Sequence, residues 1–298
     1  MQYLRSFTLP TEDEELGYVF SREAVKLDMA CYNRTSAYPF QIFPFKQFSE
    51  IEFAPITIFY GGNGSGKSTL LNVIAEKLKL TRSARFNKTP FMEDYLRFCA
   101  YQSHNGLKAM PEGSAIITSD GVFDFLLDCR AINEGVEGER QALFEEYYRK
   151  KREDTVKLRS LEDYEALKEQ NAFRKTSVSQ YAAKQMQDVE LFGKSNGESA
   201  FHYFTDKIGE YALYLLDEPE NSLSASLQAE LARYLEDAVR FYGCQLVIAT
   251  HSPFLLSLKG AKIYDLDSLP VTEKPWYELA NMRAYYALFS KYDDCFKK

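Results

Sequence analysis

A glycine-rich segment followed by a lysine and a serine is the part of the sequence best suited to bind phosphate groups. Residues 61–68 read GGNGSGKS and satisfy the pattern G-x-x-x-x-G-K-[ST]. The apolar run Ile56–Tyr60 precedes the segment, and apolar residues at helical spacing follow it. The glycines allow the backbone to curl with its N–H groups pointing inward, and the N-terminus of the following helix adds partial positive charge. This context predicts a cradle for the phosphates of a nucleotide.

Within the cradle, Lys67 is predicted to reach the β- and γ-phosphates and the Ser68 hydroxyl to bind Mg²⁺. The predicted nucleotide contacts are the whole loop and the first residues after it, namely Gly61, Gly62, Asn63, Gly64, Ser65, Gly66, Lys67, Ser68 and Thr69. A chance match of a glycine-rich loop is the alternative. The flanking strand and helix argue against it.

Two adjacent acids, Asp217 and Glu218, end the apolar run YALYLL. Ligands of open α/β folds bind at the carboxyl ends of strands. Asp217 is therefore predicted to hold Mg²⁺ together with Ser68, and Glu218 to act on the attacking water as general base. Alternatively, the two acids merely begin a solvated loop. The phosphate-binding loop upstream favours the functional interpretation.

The glycine-rich loop, LLDEP and ATHSP occur in an order and spacing that resemble the ABC ATPase superfamily. The resemblance implies that ATP is the nucleotide and is hydrolysed, and that His251 contacts its γ-phosphate. It also implies that Ser195, Gly197 and Glu198, in the segment SNGES, form the family's signature motif and touch the ATP held by a second subunit. A plain loop and helix N-cap is the alternative for this segment.

Some motifs depart from those of the transporters in that superfamily. The segment PENSLS (219–224) is similar to the D-loop of non-transporter ABC ATPases, and Glu198-Ser199 in the signature segment is closer to the residues seen in SMC-like and RecF-like ATPases. The glutamine expected at the end of the predicted strand Ser114–Asp120 is replaced by Ser119-Asp120, so Asp120 is predicted as its positional equivalent and as a metal ligand. Gln102 is the nearest candidate by residue type, although it precedes that strand.

Strands that alternate with helices predict an α/β fold, a P-loop NTPase of ABC-ATPase type. We expect a mainly parallel sheet with an N-terminal antiparallel β element, suggested by the aromatic segment Tyr38–Phe53, and an inserted helical lobe. The ATP-binding core is predicted to comprise 1–120 and 200–298, and the lobe 121–199, ending in the signature motif. Residues 139–189 lack glycine and proline and are highly charged, which favours helices.

The bulk composition restricts the setting. A net charge of −7 argues against a uniformly basic nucleic-acid-coating surface. No apolar run approaches the ~20 residues needed to cross a bilayer, and the N-terminus lacks a secretion signal. The five scattered cysteines fit neither a disulfide framework nor a CxxC metal site. We therefore expect a cytoplasmic protein that does not contact a membrane.

Taken together, the motifs predict an ATPase that uses ATP and Mg²⁺ to close a head-to-tail dimer, either a homodimer or an ABC-type heterodimer. DNA repair or a phage-defence effector is the expected setting, so an effector protein and DNA are the candidate partners. A transporter's nucleotide-binding subunit and a slowly hydrolysing ATP-bound scaffold or regulatory subunit are the alternatives.

Two further segments have open interpretations. The basic run Arg149–Arg152, with Lys157 and Arg159, lines a DNA groove or is a solvated helix face interleaved with acids. The C-terminal helix, with Trp276, Tyr285, Tyr286 and Phe289, is core or a surface for docking a partner.

Overall fold

The computed structural model describes residues 2–19, 37–82, 84–86, 88–106, 109–152 and 195–297. Labels below number the described elements in chain order. The strands are β1 (Leu4–Thr8), β2 (Glu50–Glu52), β3 (Ile56–Tyr60), β4 (Thr81–Arg82), β5 (Ala100–Ser103), β6 (Ala115–Thr118), β7 (Leu213–Asp217), β8 (Gln245–Ala249), β9 (Lys262–Asp265) and β10 (Thr272–Glu273). The helices are α1 (Glu12–Val19), α2 (Lys67–Leu78), α3 (Met92–Phe98), α4 (Ser119–Arg152), α5 (Asn196–Lys207), α6 (Ala225–Phe241), α7 (Pro253–Leu256), α8 (Ala280–Lys291) and α9 (Asp293–Phe296), with 3₁₀ turns at Pro44–Lys46, His104–Gly106 and Trp276–Glu278.

A seven-stranded sheet in the order β10-β9-β3-β8-β7-β6-β4 forms the centre of the fold. Its strands run parallel except β10, which pairs antiparallel with β9. All five residues of β3, β7 and β8 are buried, as expected for strands covered on both faces. The predicted α/β class with a mainly parallel sheet is confirmed.

A second sheet, β2-β1-β5, is antiparallel and contains the N-terminal strand. The buried side chain of Gln245, at the start of β8, joins it to the main sheet. Gln245 Oε1 accepts hydrogen bonds from the backbone N–H groups of Tyr3 and Leu4, at 2.7 and 2.8 Å, and its Nε2 donates to the Leu4 carbonyl at 2.8 Å. A buried amide that satisfies three backbone groups costs little to bury and fixes the position of β1.

The expectation that Tyr38–Phe53 forms several strands was wrong. Only Glu50–Glu52 is a strand, and the segment before it consists of turns and a 3₁₀ turn. Pro39 and Pro44 lack the N–H that a sheet ladder needs. The aromatic spacing arises instead from Phe40, Phe43 and Phe48, which are all buried in the core.

The chain divides into two compact units, one of residues 1–124 and 196–298 and one of residues 125–195. The first contains both sheets. The boundaries predicted from sequence, 120/121 and 199/200, lie within a few residues of these, and their assignment to a core and an inserted lobe stays a prediction.

The basic run is described only as far as Arg152, within α4. Lys150 forms an ion pair with Glu146 at 2.7 Å, one helical turn away, and Lys151 donates to the Tyr147 hydroxyl at 2.9 Å. These contacts favour the solvated helix face. Lys157 and Arg159 lie outside the described residues.

The C-terminal helix is not core. Tyr286 and Phe289 on α8 are 70% and 53% exposed, and Trp276 before it is 41% exposed. Among the residues that the structure describes, no helix is long and apolar enough to cross a membrane.

One buried acid in the core makes stability depend on pH. Glu15 on α1 is 2% exposed, and one of its oxygens accepts a hydrogen bond from the Gln41 N–H while Oε1 has no partner among the described residues. Burial raises the pKa of Glu15 from 4.5 to about 7. Because the pKa is higher in the folded chain than in the unfolded chain, ionisation of Glu15 destabilises the fold as pH rises from about 4.5 to about 7.

We expect Glu15→Gln to stabilise the protein by about 1–3 kcal/mol at pH 8 and to have little effect at pH 4.5. Thermal melts of the nucleotide-free protein across this pH range measure the difference. Glu12→Gln, an exposed acid in the same helix, is the matched control. An equal shift for Glu15→Gln at every pH would contradict the assignment.

Candidate nucleotide-binding site

The phosphate-binding loop leaves β3 at the carboxyl edge of the parallel sheet, between β8 and β9. Gly64 and Gly66 have φ of 78° and 99°, a left-handed conformation that glycine adopts without strain. A Cβ at residue 66 would also lie 3.1 Å from the Ile42 side chain and 3.2 Å from the Phe43 ring. Glycine is therefore required at 66 for two independent reasons.

The loop presents unused hydrogen-bond donors. Among the described residues, the backbone N–H groups of Gly66, Lys67 and Ser68 have no acceptor, and they lie at the N-terminus of the twelve-residue helix α2. The Ser65 hydroxyl is buried and also lacks a partner in the described part of the chain. Such a set of converging donors suits an anion, and phosphate in particular.

The Lys67 ammonium is buried at the centre of the predicted site. Its Nζ donates to the carbonyl oxygens of Gly61 and Gly62, at 2.7 and 3.2 Å, and lies 2.8 Å from His251 Nε2. Glu218 Oε1 is 3.8 Å away. Two of the lysine's donors are thus directed at carbonyl groups of the loop itself.

The predicted metal ligands Ser68 and Asp217 are in contact. The Ser68 hydroxyl, in the first turn of α2, donates to Asp217 Oδ1 at 3.0 Å. Burial, the largest influence, raises the pKa of Asp217 to about 6, while the Ser68 hydrogen bond lowers it. A serine hydroxyl beside one carboxylate fits Mg²⁺, which takes few protein ligands and keeps waters and substrate phosphates in its shell.

Asp120 lies in the first turn of α4, directly after β6, rather than on the strand itself. It lines the same cavity as Ser68 and Asp217. Gln102, the alternative by residue type, lies on β5 in the antiparallel sheet, paired with Ser6 of β1. The position of Asp120 is thus compatible with a place near the predicted magnesium site, and its assignment as the equivalent of the expected glutamine stays a prediction.

Glu218 has a backbone conformation that is uncommon for a residue with a side chain. Its φ is 49°, and its N–H donates to the Ala249 carbonyl at 2.9 Å, so the neighbouring strand β8 holds it in place. Asn221 Nδ2 donates to Glu218 Oε2 at 3.1 Å, and His251 Nε2 lies 3.7 Å from Oε1. Strained residues of this kind concentrate at functional sites.

Two acids that sequence reasoning left without a role support this arrangement. Glu220 Oε1 accepts the backbone N–H groups of His251 and Ser252, at 2.6 and 3.1 Å, and so fixes where His251 emerges from β8. Asp267 Oδ2 accepts the Gly62 N–H at 2.7 Å. Asp267 follows β9, a parallel neighbour of β3. Because the carboxyl ends of parallel strands lie at the same edge of a sheet, this position in the sequence could have predicted that Asp267 lies near the phosphate-binding loop.

The remaining predicted contacts are distributed around the loop. The Thr69 hydroxyl lies 3.1 Å from the Tyr38 hydroxyl, which donates to it. Asn63, Gly61 and Gly62 lie in the loop before α2, and a Cβ at residue 61 would approach the Ser65 hydroxyl to 2.7 Å.

The segment predicted as a signature motif begins helix α5. Ser195 precedes this helix, and Gly197 and Glu198 lie in its first turn, with Ser195 and Glu198 exposed. A Cβ at residue 197 would lie 2.9 Å from Leu227 Cδ1 and 3.3 Å from the Ser222 carbonyl oxygen. Close packing therefore explains the glycine, whatever further role the motif has.

The mainly parallel sheet, with the phosphate-binding loop after β3, is the fold expected from the sequence resemblance to P-loop ATPases of the ABC type. Residues 139–257 match the model of the family described as "AAA domain, putative AbiEii toxin, Type IV TA system". The match covers less than half of the chain. It includes Ser195, Asp217, Glu218 and His251, whereas the phosphate-binding loop lies outside it.

Solved structures with similarity to the chain include an Smc head domain with an extended coiled coil from Pyrococcus furiosus, bound to the C-terminal domain of ScpA (13% identity, TM-score 0.42, 97% of this chain and 99% of that chain). Others are an SMC head domain from Thermotoga maritima (15%, 0.36, 76% and 92%) and "an inward-facing conformation of a putative metal-chelate type ABC transporter" (17%, 0.38, 97% and 90%). None of the curated proteins compared with the chain matches it.

Proposed function

We propose that this chain binds ATP with Mg²⁺ and hydrolyses it, and that two copies close head to tail around two shared ATP molecules. The observation that carries the proposal is the position of five side chains in two contacting groups at one edge of the sheet: Lys67, Glu218 and His251 lie within 4 Å of one another, and Ser68 donates to Asp217. Asp217 and Glu218 come from the end of β7, His251 from just beyond the end of β8, and Lys67 and Ser68 from the first turn of α2.

Each group has a distinct part in the proposed reaction. The amide groups at the start of α2 and Lys67 bind the phosphates, and Lys67 exchanges the loop carbonyls for phosphate oxygens when ATP enters. Ser68 and Asp217, with Asp120 near them, would hold Mg²⁺, which neutralises phosphate charge when bound. Glu218 orients the attacking water and accepts its proton, and His251, held by Glu220, contacts the γ-phosphate.

The signature segment supports a shared site. Helix α5 has twelve residues, and its N-terminus carries the exposed side chains of Ser195 and Glu198. A helix N-terminus with a serine hydroxyl suits an anion. We propose that this end of α5 in one copy completes the ATP site of the other.

We also propose that closure acts as a switch for an effector protein. The family whose model matches residues 139–257, described as a putative toxin of a toxin–antitoxin system, supports this setting. In the described part of the basic run Lys150 pairs with Glu146, as on a solvated helix face. We therefore propose a protein partner rather than nucleic acid.

A shared site makes the reaction second order in protein. We expect ATP hydrolysis per chain to rise with protein concentration and then level off as dimers form, because a single copy lacks the segment that completes its site. Phosphate production at fixed excess ATP·Mg²⁺ measures this, with sedimentation velocity in ATP and in ADP to follow the dimer. A constant rate per chain from a protein that stays monomeric in ATP would refute the shared site.

A further inference from the structure

A cavity of about 540 Å³ adjoins the predicted magnesium site and extends beyond it. Ser68, Asp217 and Glu218 line one part of it, and Asn72, Arg82 and Arg85 line another. Neither Lys67, His251 nor any glycine of the phosphate-binding loop lines it. The cavity lining thus includes the acids and two arginines but none of the glycines of the phosphate-binding loop.

The strand order explains the course of this cavity. From β8, which carries His251 beyond its end, the sheet continues through β7 and β6 to β4, and all four strands run parallel. Thr118 of β6 and Asp217 of β7 are partners in register, and Arg82 of β4 pairs with Ile116, two residues before Thr118. With strands about 4.8 Å apart and a rise of about 3.3 Å per residue, Arg82 is displaced from Asp217 by roughly 10 Å across the sheet, away from His251, and by roughly 7 Å along the strand.

Arg82 and Arg85 are cations that have no acidic partner in the part of the chain that the structure describes. Arg82 Nη2 donates to Asn72 Oδ1 at 2.7 Å, and its guanidinium lies 4.1 Å from the centre of the Phe86 ring. Among the described residues, neither Arg82 nor Arg85 has a carboxylate within 4.0 Å. Burial lowers the pKa of Arg82, and the charges of Glu76 and Asp217 act in the opposite direction. A guanidinium has five donors in a planar fork that fits phosphate oxygens.

We propose that this cavity binds the inorganic phosphate produced by ATP hydrolysis, with Arg82 and Arg85 as its ligands, and that it is the route by which phosphate leaves the closed dimer. This rests on the proposed function. Cleavage by water leaves a phosphate dianion beside Glu218, Asp217 and Asp120, whose negative charges repel it. The nearest described cations on the cavity side are the two arginines. In the closed dimer the partner covers the phosphate-binding loop, so a second opening is needed.

Two measurements on the same variants test the proposal. In Arg85→Gln we expect inorganic phosphate, titrated calorimetrically into the protein saturated with ADP and Mg²⁺, to bind about tenfold more weakly, since a charge-assisted hydrogen bond is lost. In a single turnover, ATP cleavage measured by chemical quench keeps its rate, while phosphate release, followed with a fluorescent phosphate sensor, lags behind cleavage. Arg85→Lys keeps the positive charge, and its phosphate affinity and release rate are expected to lie between those of wild type and Arg85→Gln.

Arg97→Gln is the matched control, because Arg97 is an exposed arginine elsewhere in the first unit, paired with Asp94 at 3.0 Å. Arg82→Gln is the second variant. If the Arg82→Gln protein does not fold, the test depends on Arg85→Gln, because Arg85 is exposed. Unchanged phosphate affinity in a folded Arg85→Gln protein would overturn the proposal. Equal slowing of cleavage and release would also overturn it, because the arginines would then serve the cleavage itself.

The same experiment separates this inference from the proposed ATPase. A wild-type protein that neither binds nor cleaves ATP disproves the proposed function. The phosphate titration of the nucleotide-free protein then still reports whether the arginines bind phosphate, and equal affinity in wild type and Arg85→Gln would end the inference.

Discussion

Lys67→Ala is expected to lose nearly all affinity for ATP. Lys67 is 4% exposed and is the only cation within 4 Å of both Glu218 and His251 among the described residues. Removing one partner of a buried, hydrogen-bonded charge pair costs about 2–5 kcal/mol, which corresponds to roughly 30-fold to several-thousand-fold in the dissociation constant. Calorimetry with ATP·Mg²⁺, or fluorescence with a labelled ATP analogue, measures the loss.

Lys259→Ala is the matched control for that experiment, because Lys259 is exposed and precedes β9 away from the loop. Circular dichroism of both variants checks that each is folded. An Lys67→Ala protein that is folded and binds ATP as tightly as wild type would remove the basis of the proposed function.

Glu218→Gln is expected to bind ATP normally, to hydrolyse it about 10²–10⁴ times more slowly and to accumulate as a dimer in ATP. Glutamine keeps the size and one carbonyl acceptor of the side chain but cannot take a proton from water. ATP cleavage is proposed to end the closed dimer, so slower cleavage should prolong the lifetime of the ATP-bound dimer. Steady-state phosphate production and sedimentation velocity with ATP·Mg²⁺ measure the two effects.

The useful comparison is Glu210→Gln, an exposed acid before β7 in the same unit. It is expected to hydrolyse ATP and to dimerise like wild type. If Glu218→Gln turned over at the wild-type rate, Glu218 would not be the base. If it were inactive yet monomeric in ATP, the dimer would be wrong while the base assignment survived.

The main sheet and the loop could be predicted from sequence because their signals are local. The strands β3, β7 and β8 are mainly apolar, as buried parallel strands are. Glycine follows β3, the acids Asp217 and Glu218 end β7, and Thr250-His251 follows β8. The contact between Ser68 and Asp217 follows from the same logic, since carboxyl ends of parallel strands meet at one edge.

Other features depend on contacts distant in sequence. Phe40, Phe43 and Phe48 have a spacing that suggested strands, but packing against the core accounts for it. The first strand, Leu4–Thr8, was missed because Gln245, more than 230 residues later, helps to hold it in place. Arg82 and Arg85 have no motif, and only the sheet order brings them near the acids.

The close packing of Gly197 gives the proposed dimer a further property. The turn that would touch the partner's ATP lies against Ser222, four residues after Glu218, and against Leu227 of α6. A displacement of that turn by the partner's nucleotide would therefore reach the loop that carries Glu218, the proposed catalytic base of the same copy. Each copy would sense whether its mate is loaded, so the two turnovers would be cooperative rather than independent events.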